Sequence, residues 1–132
     1  MLRKDYLLGF LNDLFEALQK IKKKVGTNIE DSSTDIANAY DMLGKDVNFF
    51  LDNEIDVLID FFNAKNNEHL ESIKYLAELL YYDSLTQNNN VLKEKMLLKA
   101  RELINYFNNN STTYDLSSFQ LSEKIAQQLV NL

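Results

Sequence analysis

The chain of 132 residues contains no proline, no cysteine and no tryptophan, and it has only three glycines and one histidine. Proline removes a backbone donor and clashes with the preceding turn, so its absence leaves long helices uninterrupted. The lack of cysteine excludes disulfides, thiolate metal sites and thiol catalysis. The lack of a second histidine excludes an ordinary zinc site and the paired Glu-x-x-His motifs of di-metal helical bundles.

Positive charge is also scarce, because 14 Lys and Arg face 20 Asp and Glu and the formal net charge is −6. A nucleic-acid binder needs cations that displace counterions from phosphates, so this balance argues against nucleic acid as a partner. No apolar run approaches the ~20 residues that span a bilayer. Asp5, Asn12, Asp13 and Glu16 interrupt what would be the apolar part of a signal peptide. We expect no stable membrane insertion and a cytoplasmic location.

Apolar residues recur at steps of three and four along almost the whole chain, which is the period of a helix face. The length fits one domain, and 45% apolar with 26% charged residues is ordinary for a globular protein. The sequence therefore predicts one all-α domain, residues 1–132, of five or six helices.

Breaks in this periodicity divide the N-terminal half. Lys20 to Lys24 crowd the end of the first helix, where cations complement the helix dipole. The predicted elements are, in order, a helix from Lys4 to Val25, a loop from Thr27 to Thr34, a helix to Leu43 ended by Gly44, a turn or single helical turn from Asp46 to Leu51, and a helix capped by Asn53 and running through Phe62.

The next two helices should form an antiparallel hairpin, because only the short turn Asn88-Asn89-Asn90 separates them. Asn66 or Asn67 is the predicted cap of the first, which carries its apolar face from Leu70 to Leu80. Ala77 and Ala100 are small residues on otherwise bulky faces, which lets the two helices approach closely. The second helix carries its apolar face from Leu92 to Phe107.

The last predicted helix begins at a capping box formed by Ser117 and Gln120. Leu116 and Leu121 stand at the two positions of a hydrophobic staple. The residues expected to pack inward are Phe119, Ile125, Ala126, Leu129 and Val130.

The hairpin resembles the tetratricopeptide class of helical repeats at Leu76-Ala77, Ala100 and Phe107. Most of the chain also resembles a bacterial family of small helical proteins of unknown function. The residues that carry this second resemblance are Arg3-Lys4-Asp5-Tyr6-Leu7, Val47-Asn48-Phe49-Phe50-Leu51, Tyr75-Leu76-Ala77-Glu78-Leu79-Leu80 and Leu98-Lys99-Ala100-Arg101-Glu102-Leu103. The resemblance implies tetratricopeptide-like packing and no established activity.

The titratable residues form no recognisable catalytic or metal motif. His69 lies in the first turn of a predicted helix, and we expect it to be a solvated surface residue rather than a base or ligand. Asp52, Glu54, Asp56 and Asp60 form the densest acidic stretch, but no glycine provides the sharp turn of a calcium loop. We therefore expect no catalytic residue, no cofactor and no metal.

These observations favour a non-catalytic interaction module that binds a peptide or protein segment or pairs with itself. Tyrosine suits recognition surfaces because it joins apolar area to a polar tip, although packing in the core or at its boundary is the competing interpretation. The candidate interaction residues are Leu8, Phe15, Tyr75, Tyr81, Tyr82 and Tyr106.

The alternative is a small-molecule-binding bundle or an enzyme that uses a cavity lined by Tyr and Asp. A deep pocket that holds a carboxylate with a raised pKa would favour it. A shallow Tyr-lined groove without titratable groups would favour the interaction module instead.

Overall fold

The helices follow the apolar periodicity closely. The computed structural model describes the backbone of residues 2–27, 32–65 and 69–132 and the side chains of residues 9–27, 32–64 and 69–132. These ranges contain seven helices and no strand. The helices are α1 Leu2–Thr27, α2 Ser32–Leu43, α3 Val47–Asp52, α4 Ile55–Lys65, α5 His69–Leu85, α6 Asn90–Asn110 and α7 Leu116–Val130. The all-α class is confirmed. The predicted count of five or six is too low because α3 is a separate helix.

Helices α5 and α6 form the predicted hairpin at the centre of the fold. The side chain of Asn89 accepts hydrogen bonds from two backbone N–H groups in the first turn of α6, so the cap lies in the predicted turn. At the other end of the hairpin, His69 Nε2 lies 3.2 Å from the Tyr106 hydroxyl. The start of α5 is therefore beside the end of α6, as an antiparallel pair requires. Ala77 and Ala100 are fully buried.

Helix α1 packs against α2 and α5. Its bounds differ from the prediction by two residues at each end. Lys20 and Lys24 reach Asp35 of α2 at 3.6 and 2.6 Å, so part of the cation cluster at the end of α1 joins two helices. A hydrogen bond from Lys24 is the main cause that lowers the pKa of the Asp35 carboxyl. The buried apolar row of α1 comprises Leu11, Leu14, Leu18 and Ile21.

Helix α3 follows a glycine turn and begins after a capping aspartate. Gly44 has φ 95°, a backbone conformation that glycine adopts without strain, and it follows the end of α2 as predicted. Asp46 caps α3 by accepting from the Phe49 N–H at 3.1 Å. The prediction that Asn53 caps the next helix is wrong. Asn53 is the C-cap of α3, and its side-chain amide donates to the Phe49 carbonyl.

Helix α7 begins earlier than predicted. Asp115, not Ser117, is its N-cap, since Asp115 Oδ1 accepts from the Ser118 N–H at 3.1 Å. Ser117 lies inside the first turn of α7, and its hydroxyl donates to the same carboxylate at 2.6 Å. The predicted hydrophobic staple is also absent, because Leu116 is exposed while Leu121 is buried.

The inward face of α7 differs from the prediction as well. Helix α7 buries Ser118, Leu121 and Ile125 at steps of three and four, and Leu129 packs partly against the core. With these residues facing the core, the neighbouring face of α7 is exposed to solvent. Three residues predicted to pack inward are exposed, namely Phe119, Ala126 and Val130.

Some sequence predictions fall outside the described residues. The cap at Asn66 or Asn67 is one, and the middle of the predicted loop, residues 28–31, is another. No helix in the described part of the chain has the length and apolar character needed to cross a membrane.

Candidate functional site

Two of the predicted interaction residues meet on the surface. The rings of Phe15 on α1 and Tyr75 on α5 lie 6.4 Å apart between centroids and are tilted by 50°. Phe15 is 46% exposed, and Tyr75 is half-buried. The side chain of Leu8 lies outside the described residues. Among the described residues of α1, Phe15 is the large apolar side chain that is exposed, while Leu11, Leu14, Leu18 and Ile21 are buried.

The other predicted tyrosines offer less surface. Tyr81 and Tyr82 are only 9% and 7% exposed, and burial raises the pKa of both hydroxyls. Tyr106 is half-buried against His69. His69 is only partly exposed, because the helix hairpin brings it against this tyrosine.

One face of α5 carries alternating acids and tyrosines, which we name the α5 stripe: Glu71, Tyr75, Glu78 and Tyr82. Their spacing of four, three and four residues places all four side chains on one side of the helix. At a rise of about 1.5 Å per residue, Tyr75 and Tyr82 are separated by about 10 Å along the axis.

Helix α1 flanks the α5 stripe on one side. Phe15 lies beside Tyr75, and the charge of Lys22, two turns further along α1, acts on Glu78. Residue numbers therefore increase in the same direction along both helices. Phe15 and Lys22 lie seven residues apart and share a face of α1.

Helix α7 flanks the α5 stripe on the other side. Lys74 Nζ lies 2.7 Å from Asp115 Oδ2 at the start of α7, and the charge of Lys124 further along α7 acts on Glu78. The start of α7 is held to the end of α6 by the Ser118 hydroxyl, which donates to Asn108 at 2.6 Å. The α5 stripe thus lies between two helices that run parallel to α5.

Glu78 is the residue of this site that sequence reasoning missed as a functional candidate. Its Oε2 atom is buried and has no hydrogen-bond partner among the described residues, although the residue as a whole is partly exposed. Burial raises the pKa of the Glu78 carboxyl, and the charge of Asp115 adds to this, while Lys74, Lys22 and Lys124 oppose it. These three cations act on the buried oxygen through their charge and not through a hydrogen bond.

Lys74 is engaged elsewhere, so it leaves Glu78 unpaired. Its ammonium pairs with Asp115 and lies 5.8 and 5.6 Å from the ring centroids of Tyr75 and Phe107. These contacts hold the cation beside aromatic faces, where the attraction to the ring adds to the ion pair. The site therefore combines exposed aromatic surface with a buried acceptor that the fold does not use.

Glu78→Gln is expected to stabilise the protein at neutral pH by an amount on the order of 1 kcal/mol, because it removes a buried, unpaired charge. The pKa of Glu78 lies above its ordinary value of 4.5 in the folded state, so folding favours the protonated form. The wild type should lose stability relative to the variant as the pH rises from 4.5 through the folded pKa. Urea unfolding between pH 4 and pH 8 measures this difference.

Lys22, Lys74, Lys124 and Asp115 act on Glu78 and are present in both proteins, so their own titration largely cancels in the comparison. Glu123→Gln, at an exposed position on α7, is the matched control and should show no such pH-dependent gain. Equal stability of Glu78→Gln and the wild type at every pH would contradict a buried, unpaired carboxylate.

Asp83, another buried carboxylate among the described residues, is fully engaged in the structure. Asp83 accepts from the Tyr40 hydroxyl at 2.8 Å and from the Gln87 amide at 2.9 Å. The Thr86 hydroxyl lies 3.4 Å from the same carboxylate. Asp83 therefore joins α2 to the end of α5, and the fold itself uses both of its oxygens.

A cavity of about 430 Å³ opens between α3 and α6. Two of its lysines are already bound, since Lys95 pairs with Asp52 at 2.9 Å and Lys99 donates to the Asn53 carbonyl at 2.8 Å. The lining residues are Leu51, Lys95, Leu98, Lys99, Arg101 and Glu102. They include neither tyrosine nor aspartate, so this is not the cavity that the enzyme hypothesis requires.

The described ranges contain no group of three or more His, Cys, Asp or Glu residues that could hold a metal ion. Asp52, Glu54, Asp56 and Asp60 are all exposed, as the structural interpretation of the acidic stretch expects.

Comparison with known proteins finds no family model, no curated protein and no solved structure that matches this chain.

Proposed function

We propose that the protein is a non-catalytic interaction module that binds a segment of another protein along the α5 stripe and the adjoining Phe15. The observation that carries the proposal is the exposed Phe15 ring of α1 against the half-buried Tyr75 ring of α5. Exposed aromatic rings offer apolar contact area, and a tyrosine adds a polar tip, as recognition surfaces commonly do.

Tetratricopeptide-like packing is part of the same proposal. Helices α1, α5 and α7 run in parallel, and α6 returns between α5 and α7, which is the alternation expected of stacked helical hairpins. Stacked hairpins present extended surfaces that accommodate peptides. The resemblance of residues 75–80 and 98–103 to a bacterial helical family points to the same packing.

A catalytic role has weaker support, because the described groups that interact with the Glu78 carboxyl are lysines, Asp115 and the Tyr75 and Tyr82 hydroxyls, whose raised pKa keeps them protonated. The raised pKa of Glu78 nevertheless favours small-molecule binding as the alternative proposal. A panel of small amines and guanidines tests it through the melting temperature. A ligand that stabilises the wild type but not Glu78→Gln would favour this alternative over a peptide partner.

Peptide binding should depend on Phe15. Peptides selected from a dodecapeptide library displayed on phage are expected to lose about tenfold or more in affinity for Phe15→Ser, because the ring supplies the exposed apolar anchor. Isothermal titration with the synthetic peptides measures the loss. Circular dichroism checks that the variant is folded, which its exposed position favours.

Phe119→Ser is the matched control, since Phe119 is 45% exposed but lies on the outer side of α7. Its affinity for the same peptides should equal that of the wild type. Peptides that bind both variants as well as the wild type would overturn the proposed site.

A further inference from the structure

We propose that a second copy of the chain docks antiparallel on the outer side of α6, so that the protein forms a weak homodimer through this helix. The buried residues of α6 lie on its opposite side, against the rest of the fold. The α5 stripe belongs to another helix, so this inference goes beyond the proposed function. The surface concerned, which we name the α6 face, consists of the exposed residues Val91, Glu94, Lys95, Leu98, Arg101 and Glu102.

Leu98 and the cavity between α3 and α6 have matching positions. Leu98 is 39% exposed, which leaves a large apolar side chain at the surface near the middle of α6. The cavity of about 430 Å³ has Leu51 of α3 in its wall, and its lining on α6 includes Lys95, Leu98, Lys99 and Glu102. These four residues have the spacing of a hole that accepts one side chain from a facing helix. An antiparallel copy centred at Leu98 therefore places its own Leu98 over this hole.

The charges of the α6 face complement one another in an antiparallel pair. Glu94 precedes Leu98 by four residues and Arg101 follows it by three, so Glu94 of each copy lies opposite Arg101 of the other. Lys95 and Glu102 are placed in the same way on the other flank of the face. A parallel pair would instead place each charge opposite its own copy, and like charges across an interface are unfavourable.

The ion pairs already present on this surface permit the docking. Lys95 pairs with Asp52 at 2.9 Å, and Lys99 with Glu102 at 3.3 Å. Exposed ion pairs contribute little, because water and salt screen them, so Lys95 and Glu102 can exchange partners at small cost. The apolar contact at Leu98 supplies attraction, and the charges select the orientation. Because one helix face buries little area, we expect a dissociation constant on the order of 100 μM.

Cysteine cross-linking tests the orientation, because the chain has no cysteine of its own. In Leu98→Cys the two sulfurs meet at the dimer axis, and mild oxidation should trap a disulfide-linked dimer. Val91→Cys is the matched control, since Val91 is 79% exposed on the same face. Its two copies lie about 20 Å apart in the antiparallel pair, beyond the ~7 Å between Cα atoms that a disulfide spans. Cross-linking of Val91→Cys as fast as that of Leu98→Cys would overturn the inference.

Sedimentation equilibrium measures the association of the cysteine-free chain. Leu98→Gln should raise the dissociation constant about tenfold or more, because the apolar contact is lost. Glu94→Arg should raise it about tenfold, since like charges then face each other twice. Adding Arg101→Glu to Glu94→Arg should restore it to within about threefold of the wild type. Val57→Gln, at a 44% exposed position on α4, is the matched apolar control and should leave it unchanged.

Three outcomes would overturn the inference. They are a monomer at about 1 mM, an association insensitive to Leu98→Gln, and a failure of Arg101→Glu to reverse the effect of Glu94→Arg. Circular dichroism checks that each variant is folded, which the exposed positions favour. Peptide binding to the α5 stripe is measured separately with Phe15→Ser, so the proposed function would stand after any of these results.

Discussion

Replacement of Phe50 by alanine is expected to lower the free energy of unfolding by about 3–5 kcal/mol. Phe50 is fully buried and lies in a cluster of rings from three helices. Its centroid is 6.3 Å from Tyr40, 5.4 Å from Phe49, 6.1 Å from Phe61 and 6.0 Å from Phe62. Truncation removes apolar burial and leaves a cavity that these large rings cannot readily fill.

Such a loss is large for a domain of this size, because total stability is typically only about 5–15 kcal/mol. Urea unfolding followed by circular dichroism measures it. Phe119→Ala, at an exposed ring on α7, is the matched control and should change stability by less than about 1 kcal/mol. A loss at Phe50 no greater than that of the control would mean that α3 does not anchor the core.

The local sequence predicts the short helical turn of α3, but it does not predict which rings of other helices pack against it. The segment from Val47 to Leu51 is too short and too aromatic for an exposed helix, and this indicates that it is tucked in. Its ring partners could not be named, since Tyr40, Phe61 and Phe62 come from α2 and α4. Tertiary packing decides which helices contact each other, and the spacing of residues within one helix does not predict those contacts.

The errors in α7 have a related cause. Ser117 with Gln120 is a valid local capping pattern, but Asp115 is an equally good cap and also reaches Lys74 of α5. The ion pair across helices favours the earlier start. Local preference ranks two nearby caps almost equally, so a tertiary contact decides between them.

The candidate site was predictable in part. Periodicity places Tyr75 and Tyr82 on one face of α5, and Phe15 at the flank of the apolar arc of α1. Glu78 had a usable signal, since it is an acid between two tyrosines on that same face. Its unpaired state depends on where Lys74 points, and this follows from the position of α7 rather than from the sequence of α5.

Tyr40→Phe is expected to lower the free energy of unfolding by about 2–3 kcal/mol although it removes a single hydroxyl. That hydroxyl donates to Asp83 Oδ2 at 2.8 Å in a buried place between α2 and α5. Burial, with the nearby Asp83 charge, raises the pKa of Tyr40, so the donor stays protonated across the ordinary pH range. The variant creates almost no cavity, and the loss therefore reports the buried carboxylate left short of a donor.

A double-mutant cycle separates this bond from other effects of the substitution. In an Asp83→Asn background the acceptor is neutral, and Tyr40→Phe should then cost only about 1 kcal/mol. Tyr75→Phe removes a hydroxyl with no partner among the described contacts and should change stability by less than about 0.5 kcal/mol. Equal costs for Tyr40→Phe in both backgrounds would show that the charge of Asp83 adds nothing to this hydrogen bond. A smaller cost in the Asp83→Asn background would show that the charged acceptor strengthens the link between α2 and α5.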